Sequence, residues 1–440
     1  MQIRGLSLDQ APPLAIPLSF FGLAPCAVGG AAGVLLFYGA QSLVTPWSPV
    51  TLCLTHLGTL GLLTSVMFGA LYQMTPVVAG SRIPGVRLAH AVHVGLALGV
   101  LFLCWGFARG SVAAIYVAAG LLAPAFLLFL IPVGVALART ATRDETVLGM
   151  TGAVTALFLA ATLGLWMAHG FAGLHFPGPR PLWLRVHMTV ALLGWVGGLI
   201  TAISWQVLPM FYLARTVQLG TKRAIQALTG IGVVGPLGVL LSYSVEGARE
   251  DWRSAFLYAG LAALPAALGV WGIHPLVSLR SLAGRRRRRR DATLLFWYAG
   301  LSVAPGVALC AAAAVVWEDP RWELLLGWLA IWGWAGMIIH GMLSRIVPFL
   351  VWFHRFAPRV GSGPVPSMRA LLPDRWVRQG FVAHSVSLGL GALAIVTRDD
   401  TSARLAGLAL GVTATLLARS LLRVVRTQPA PLDSGEPAPG

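Results

Sequence analysis

The chain has 440 residues, of which 57% are hydrophobic and only 11% are charged, and its formal net charge is +17. A soluble domain carries about 25% charged residues, so this composition excludes a soluble protein with a single membrane anchor. Arginines in a membrane protein mainly set its topology, so the positive charge does not indicate a nucleic-acid partner. The expected surroundings are the lipid bilayer.

Apolar segments long enough to cross a bilayer recur from end to end and predict an all-α, polytopic membrane fold. Residues 427–440 are rich in proline and polar residues and are expected to form a disordered tail, which leaves residues 1–426 as one transmembrane domain. The predicted spans, in chain order, are 15–42, 50–80, 88–107, 111–137, 147–169, 183–212, 224–244, 254–277, 293–316, 322–352, 379–396 and 402–424.

A short signature ends spans 2, 6 and 10. It reads YQMTP at Tyr72–Pro76, WQVLP at Trp205–Pro209 and SRIVP at Ser344–Pro348, and the three prolines are 133 and 139 residues apart. A helical pattern that recurs at such an interval predicts copies of one multi-helix unit. The sequence therefore predicts three pseudo-repeated four-helix units, at about 15–137, 147–277 and 293–424.

The positive charges divide unequally between the two sides of the predicted membrane. The side that holds both termini has 23 lysines and arginines, and the other side has 8. The positive-inside rule then places both termini in the cytoplasm of a bacterial inner membrane. The run Arg285–Arg290 is interpreted either as part of this topology signal or as a site for anionic lipid head groups.

The predicted membrane interior holds histidines and almost no acids. All fifteen acidic residues fall in loops, in tails or at span edges, with Glu323 just inside span 10. Ion-coupled transporters and pumps usually carry buried carboxylates, so this distribution argues against that class. A neutral imidazole, in contrast, is a common ligand of heme iron and of copper.

The histidines fall into two groups by depth. His56 and His187 begin spans 2 and 6 and predict an outer metal site. His340 and His384, together with His90 or His93, predict an inner cofactor site. The remaining four, near helix ends, are expected to contact water: His169, His175, His274 and His354.

Each membrane histidine also has a simpler interpretation, because it can hydrogen-bond to a neighbouring helix without holding a metal. Arg345, inside span 10, is expected either to extend toward the cytoplasmic surface or to pair with a heme propionate. Helix-interior glycines are interpreted as positions of close helix packing.

The three units, the histidines that head spans 2 and 6, and the proline signatures of spans 2, 6 and 10 resemble the catalytic subunit of heme–copper oxidases and nitric oxide reductases. The similarity is greatest to the C-family oxidases. The resemblance implies heme b and copper as cofactors, with His56 as an axial heme ligand and His187 as a copper ligand. It also implies other respiratory subunits or a cytochrome c-like electron donor as partners.

The sequence departs from this family at several ligand positions. Span 7 has no histidine where the family has a His-His pair, and span 10 has Leu326 and Trp328 where the family has His-x-His. The standard binuclear site therefore cannot be assembled from these residues, and the sequence does not assign an enzymatic reaction.

Three functions remain as hypotheses. The first is a heme- or copper-binding membrane protein in respiratory electron transfer or in the handling of NO or O2. The second is a cofactor-free accessory or structural subunit of a respiratory complex. The third is a transporter for a metal, for heme or for a small solute.

Overall fold

The computed structural model describes residues 10–173, 180–244, 250–286, 291–361 and 365–429. Within these ranges the chain is almost wholly helical, and twelve helices are long and apolar enough to cross a membrane, as the sequence predicted. They are α1 (Ala15–Leu43), α2 (Pro49–Val78), α3 (Val86–Arg109), α4 (Val112–Arg139), α5 (Glu145–Phe171), α6 (Arg180–Tyr212), α7 (Leu219–Ser242), α8 (Tyr258–Ala283), α9 (Thr293–Val316), α10 (Pro320–Arg359), α11 (Asp374–Thr397) and α12 (Asp400–Arg426).

Polar residues at the loop junctions determine where several of these helices begin. The first turn of a helix leaves backbone N–H groups without partners, and a serine or aspartate side chain at the preceding position accepts one of them. Ser48, Ser111, Asp144, Asp319 and Asp399 cap α2, α4, α5, α10 and α12 in this way.

The three signature helices form the centre of the bundle. In their most apolar windows, α2, α6 and α10 have 56%, 67% and 72% of residues buried, whereas the other nine helices have between 33% and 44%. A helix that is buried on most of its circumference is surrounded by protein, and one that is mostly exposed faces lipid. α1 also packs against α12, so the first and last helices are neighbours in the outer layer.

Each signature helix contains a π-helical stretch of eight residues at the same place. The stretches are Leu57–Thr64, Val190–Gly197 and Leu329–Gly336, and each begins 19 residues before its signature proline. π-helical segments are rare and occur often at functional sites. Their threefold recurrence supports a common origin of the three units.

A glycine occupies the fifth position of each π stretch and allows the first helix of the same unit to approach closely. A Cβ added to Gly61, Gly194 or Gly333 would lie only 2.7, 2.7 or 2.8 Å from a side-chain carbon of α1, α5 or α9. These are the close-packing glycines that the sequence predicted.

Arg345 of α10 forms an ion pair near the end of the bundle at which α10 ends. Its guanidinium lies 3.0 Å from the Asp291 carboxylate, which precedes α9, and also donates to the carbonyl of Phe211 in α6. The two side chains of the ion pair are only 18% and 14% exposed. Asp291 thus occupies the role that the sequence analysis considered for a heme propionate.

Two sequence predictions concern residues outside the described ranges. Arg287 to Arg290, most of the Arg285–Arg290 run, lie there, and so does most of the predicted disordered tail.

Candidate functional site

The larger cavity in the described part of the chain, about 250 Å3 in volume, lies at the end of the bundle where α2, α6 and α10 begin. We call this end the outer end. The cavity has mostly apolar walls, and both His56 and His187 line it. The structure therefore brings together the two histidines that the sequence assigned to an outer site.

The ring of His56 is oriented by its own helix. Its Nδ1 lies 2.7 Å from the carbonyl oxygen of Leu52, one turn earlier in α2, so Nδ1–H donates to that carbonyl. In a neutral imidazole the other nitrogen, Nε2, then carries the free lone pair. Histidines that bind metals usually donate their second ring N–H to a carbonyl or carboxylate in this manner.

His187 lies against a glycine of α5. A Cβ added to Gly164 would be 3.0 Å from Cε1 of the imidazole, so any larger residue there would press on the ring. Nδ1 of His187 is buried and has no hydrogen-bond partner. A buried polar atom without a partner costs free energy, and its presence calls for an explanation such as a missing water or ion.

The two imidazoles are at matching depths. His56 lies 20 residues before Pro76, and His187 lies 22 residues before Pro209, which differ by about 3 Å along a helix axis. The rings are also close enough for a charge on one to act on the other. A single small ligand in the cavity can therefore interact with both.

The remaining polar and soft side chains of the cavity are few. Met167 and Met188 line it, and so does Glu323. The Glu323 carboxylate lies 3.1 Å from the Arg185 guanidinium, which is 65% exposed, so this ion pair lies at the cavity's solvent side. No group of three or more His, Cys, Asp or Glu side chains is arranged around a common metal position within the described ranges.

The third unit contributes a tryptophan where the first contributes a histidine. Trp328 precedes Pro348 by 20 residues, as His56 precedes Pro76. Its indole Nε1–H donates to the carbonyl of Leu388 in α11 at 2.9 Å, and its ring lies against Gly391. An indole N–H has no lone pair to offer a metal, so α10 provides no ligand at this position.

His340 and His384, predicted for the inner site, contact each other. His384 Nε2 lies 2.9 Å from the Trp332 carbonyl oxygen and must donate to it, which leaves His384 Nδ1 to accept from His340 Nδ1–H at 3.1 Å. The His384 ring also stacks on the Trp332 indole at 3.8 Å. Both nitrogens of His384 are therefore used by hydrogen bonds, and the pair joins α10 to α11.

The structure separates the other two predicted inner ligands from this pair. His90 is exposed at the start of α3. His93 is half-buried, with its ring edge-to-face with Phe20 at 5.3 Å and its buried Nδ1 unpartnered. The assignment of His340, His384, His93 and His90 as cofactor ligands stays a prediction, to which the geometry adds a packing role for the first two.

One expectation about the remaining histidines is wrong. His274 is only 2% exposed and hydrogen-bonds to Ser204 Oγ at 3.2 Å, rather than lying at a wetted helix end. The reason is that α8 continues to Ala283. His169 is exposed and His354 half-buried, while His175 lies outside the described residues.

The described architecture defines the class of protein, an all-α polytopic membrane protein with a histidine-lined cavity at one end. Comparison with protein-family models and with curated proteins finds no match for this chain.

Proposed function

We propose that this chain is an integral membrane protein that binds a transition-metal ion, copper in preference to heme, between His56 and His187. The observation that carries the proposal is the state of the two rings in one cavity. His56 donates through Nδ1 to a carbonyl, and His187 has a buried nitrogen without a partner. Rings that serve only packing would be expected to satisfy each other, as His340 and His384 do.

The cavity fits a bare ion better than a porphyrin. Sites that enclose drug-sized ligands usually measure about 300–1,000 Å3, and this cavity measures about 250 Å3. Its only charged lining residue in the described ranges is the Glu323 carboxylate, which would repel heme propionates. Imidazole nitrogen, in contrast, is a ligand that copper readily accepts.

The biological role proposed with this site is respiratory electron transfer or the handling of O2 or NO. Support comes from the twelve helices and the threefold recurrence of the π stretches, which resemble the organisation of oxidase catalytic subunits. Oxygen reduction at a binuclear centre is not part of the proposal. The described part of α7 has no histidine, and the one histidine before the signature proline of α10, His340, pairs with His384.

Metal analysis of purified protein tests the proposal. Protein extracted in mild detergent from copper-supplemented cells should contain about one copper per chain, and His56→Ala or His187→Ala should lose it. The control is His169→Ala, which removes an exposed histidine from the outer end of α5. Full copper content in both cavity variants, or none in the wild type, would refute the site. A pyridine hemochrome assay on the same samples measures heme.

The second candidate, a cofactor-free accessory subunit, is favoured by the hydrogen-bonded His340–His384 pair. It is also favoured because no three metal-binding side chains converge in the described ranges. It predicts that a respiratory enzyme co-purifies equally with the wild type and with the His56→Ala variant. Metal binding by the wild type that depends on His56 would decide against it. Transport stays a prediction from sequence without a structural observation in its favour.

A further inference from the structure

Two methionines share the outer cavity with the two imidazoles. Met167 belongs to α5 and Met188 to α6, and both line the cavity beside His56 and His187. A metal held by the two imidazoles alone would lack further protein ligands, because no third His, Cys, Asp or Glu converges there in the described ranges. The methionine sulfurs are the remaining soft donors of this cavity.

Met188 faces the cavity because of its position on α6. Residues spaced three and four apart lie on one face of a helix, and the cavity-lining residues of α6 follow that spacing. They are Leu184, His187, Met188, Ala191, Leu192 and Trp195. Met188 therefore extends from the same face as His187.

Met167 reaches the cavity from the opposite wall. The His187 ring lies against Gly164 of α5, and Met167 follows three residues later on the same face of that helix. That offset is about 4.5 Å along the axis, toward the outer end. Met167 is partly buried against the core and lines the cavity, so its thioether lies on the outer side of the His187 ring.

The chemistry of this set indicates one oxidation state. Thioethers are soft ligands that select Cu(I), whereas Zn2+ sites in proteins are built from imidazole, thiolate and carboxylate. A univalent ion also costs less to bury among apolar walls than a divalent one, because the cost of removing a charge from water rises with the charge. The single carboxylate of the cavity, Glu323, is already paired with Arg185.

We propose that the outer cavity is a cuprous site, in which the thioethers of Met167 and Met188 complete the coordination begun by His56 and His187. This inference rests on the proposed function and names the oxidation state and the additional ligands. Methionines in membrane helices commonly serve packing alone, so the test must separate ligation from packing.

Anaerobic titration of the purified protein with Cu(I), in competition with a chromogenic cuprous chelator, provides that test. The double variant Met167→Leu/Met188→Leu keeps the apolar volume and removes both sulfurs. We expect its Cu(I) affinity to fall by more than about tenfold, since even an outer-shell partner of a metal ligand is worth about that much. Its Zn2+ affinity should stay at the wild-type value, because the imidazoles remain.

Met150→Leu is the matched control, because Met150 lies on α5, is fully buried and does not line the cavity. It should bind Cu(I) as the wild type does. X-ray absorption at the copper edge should show sulfur scattering in the wild type and in the control but not in the double variant.

The possible failures can be told apart. Wild-type Cu(I) affinity in the double variant, or no sulfur scattering in the wild type, would overturn the thioether ligands while leaving an imidazole site intact. Failure of the wild type to bind any metal, or binding that survives both His56→Ala and His187→Ala, would overturn the proposed function as well.

Discussion

The two pairs of histidines differ in what their ring nitrogens do. In the inner pair, the protein satisfies His384 completely, through Trp332 and His340. In the outer pair, each ring keeps a nitrogen that the protein does not use. Because a neutral imidazole has one donor and one acceptor, hydrogen-bond partners separate a packing histidine from a candidate ligand more sharply than burial does.

This contrast makes a prediction for His384→Ala. The substitution leaves the Trp332 carbonyl and His340 Nδ1–H without partners in a buried place, and it also removes a fully buried side chain. We expect the free energy of unfolding to fall by about 2–4 kcal/mol, while the copper content stays at the wild-type level. Thermal unfolding in detergent and metal analysis of the same sample measure both.

His187→Ala should show the reverse pattern, with lost copper and a nearly unchanged melting temperature, since its Nδ1 makes no hydrogen bond that would be lost. If His384→Ala instead lost copper and kept its stability, the inner pair would be the metal site.

At the scale of helices, hydropathy was sufficient to predict the twelve spans, because each is a long apolar run between polar or basic loops. The proline signatures gave the register of α2 relative to α6, which predicted that His56 and His187 lie at the same depth. Hydropathy could not predict the end of α8, because Pro275 resembles a helix terminus in sequence but is tolerated inside a packed membrane helix.

The parts of the site that the sequence did not reveal depend on helix rotation and on contacts between units. Met188 follows the helical stripe of His187, a signal that was available in the sequence. Met167 belongs to an antiparallel helix outside the repeat signature, so only the packing of Gly164 against His187 reveals its position. The π stretches likewise leave no compositional mark, although the glycine at their fifth position recurs.

Those recurrent glycines give a prediction for helix packing. In Gly194→Ala, the added Cβ would lie 2.7 Å from the Ala156 side chain and 2.9 Å from that of Val233, so α5 and α7 must shift. Overpacking of this kind costs about 1–3 kcal/mol. Since His187 lies between α5 and α6 at the start of this π stretch, we also expect weaker copper binding. Thermal unfolding and Cu(I) titration measure the two effects.

The control for this substitution is Gly152→Ala on α5, where no atom lies within 4 Å of the added Cβ. It should be neutral or stabilise the helix slightly, by up to about 1 kcal/mol, because alanine favours a helix over glycine. Equal effects of the two substitutions would show that close approach at Gly194 is not what holds the unit together.

For the whole molecule, the orientation in the membrane decides which compartment the cavity faces. The positive-inside rule places the loops with most arginines in the cytoplasm, and His56, His187 and Glu323 all lie in the first turns of helices that begin at the opposite end. The cavity is therefore expected to open toward the outer, periplasmic side of the membrane, where copper can enter without crossing it.

Cysteine labelling of intact cells tests this orientation. Thr142, between α4 and α5, and Glu318, between α9 and α10, are exposed at opposite ends of the bundle. A membrane-impermeant maleimide should label Glu318→Cys in intact cells and Thr142→Cys only after lysis. The wild type serves as the background, because Cys26 lies inside α1 and the other three cysteines are buried. Labelling of Thr142→Cys alone in intact cells would invert the topology and place the copper cavity on the cytoplasmic side.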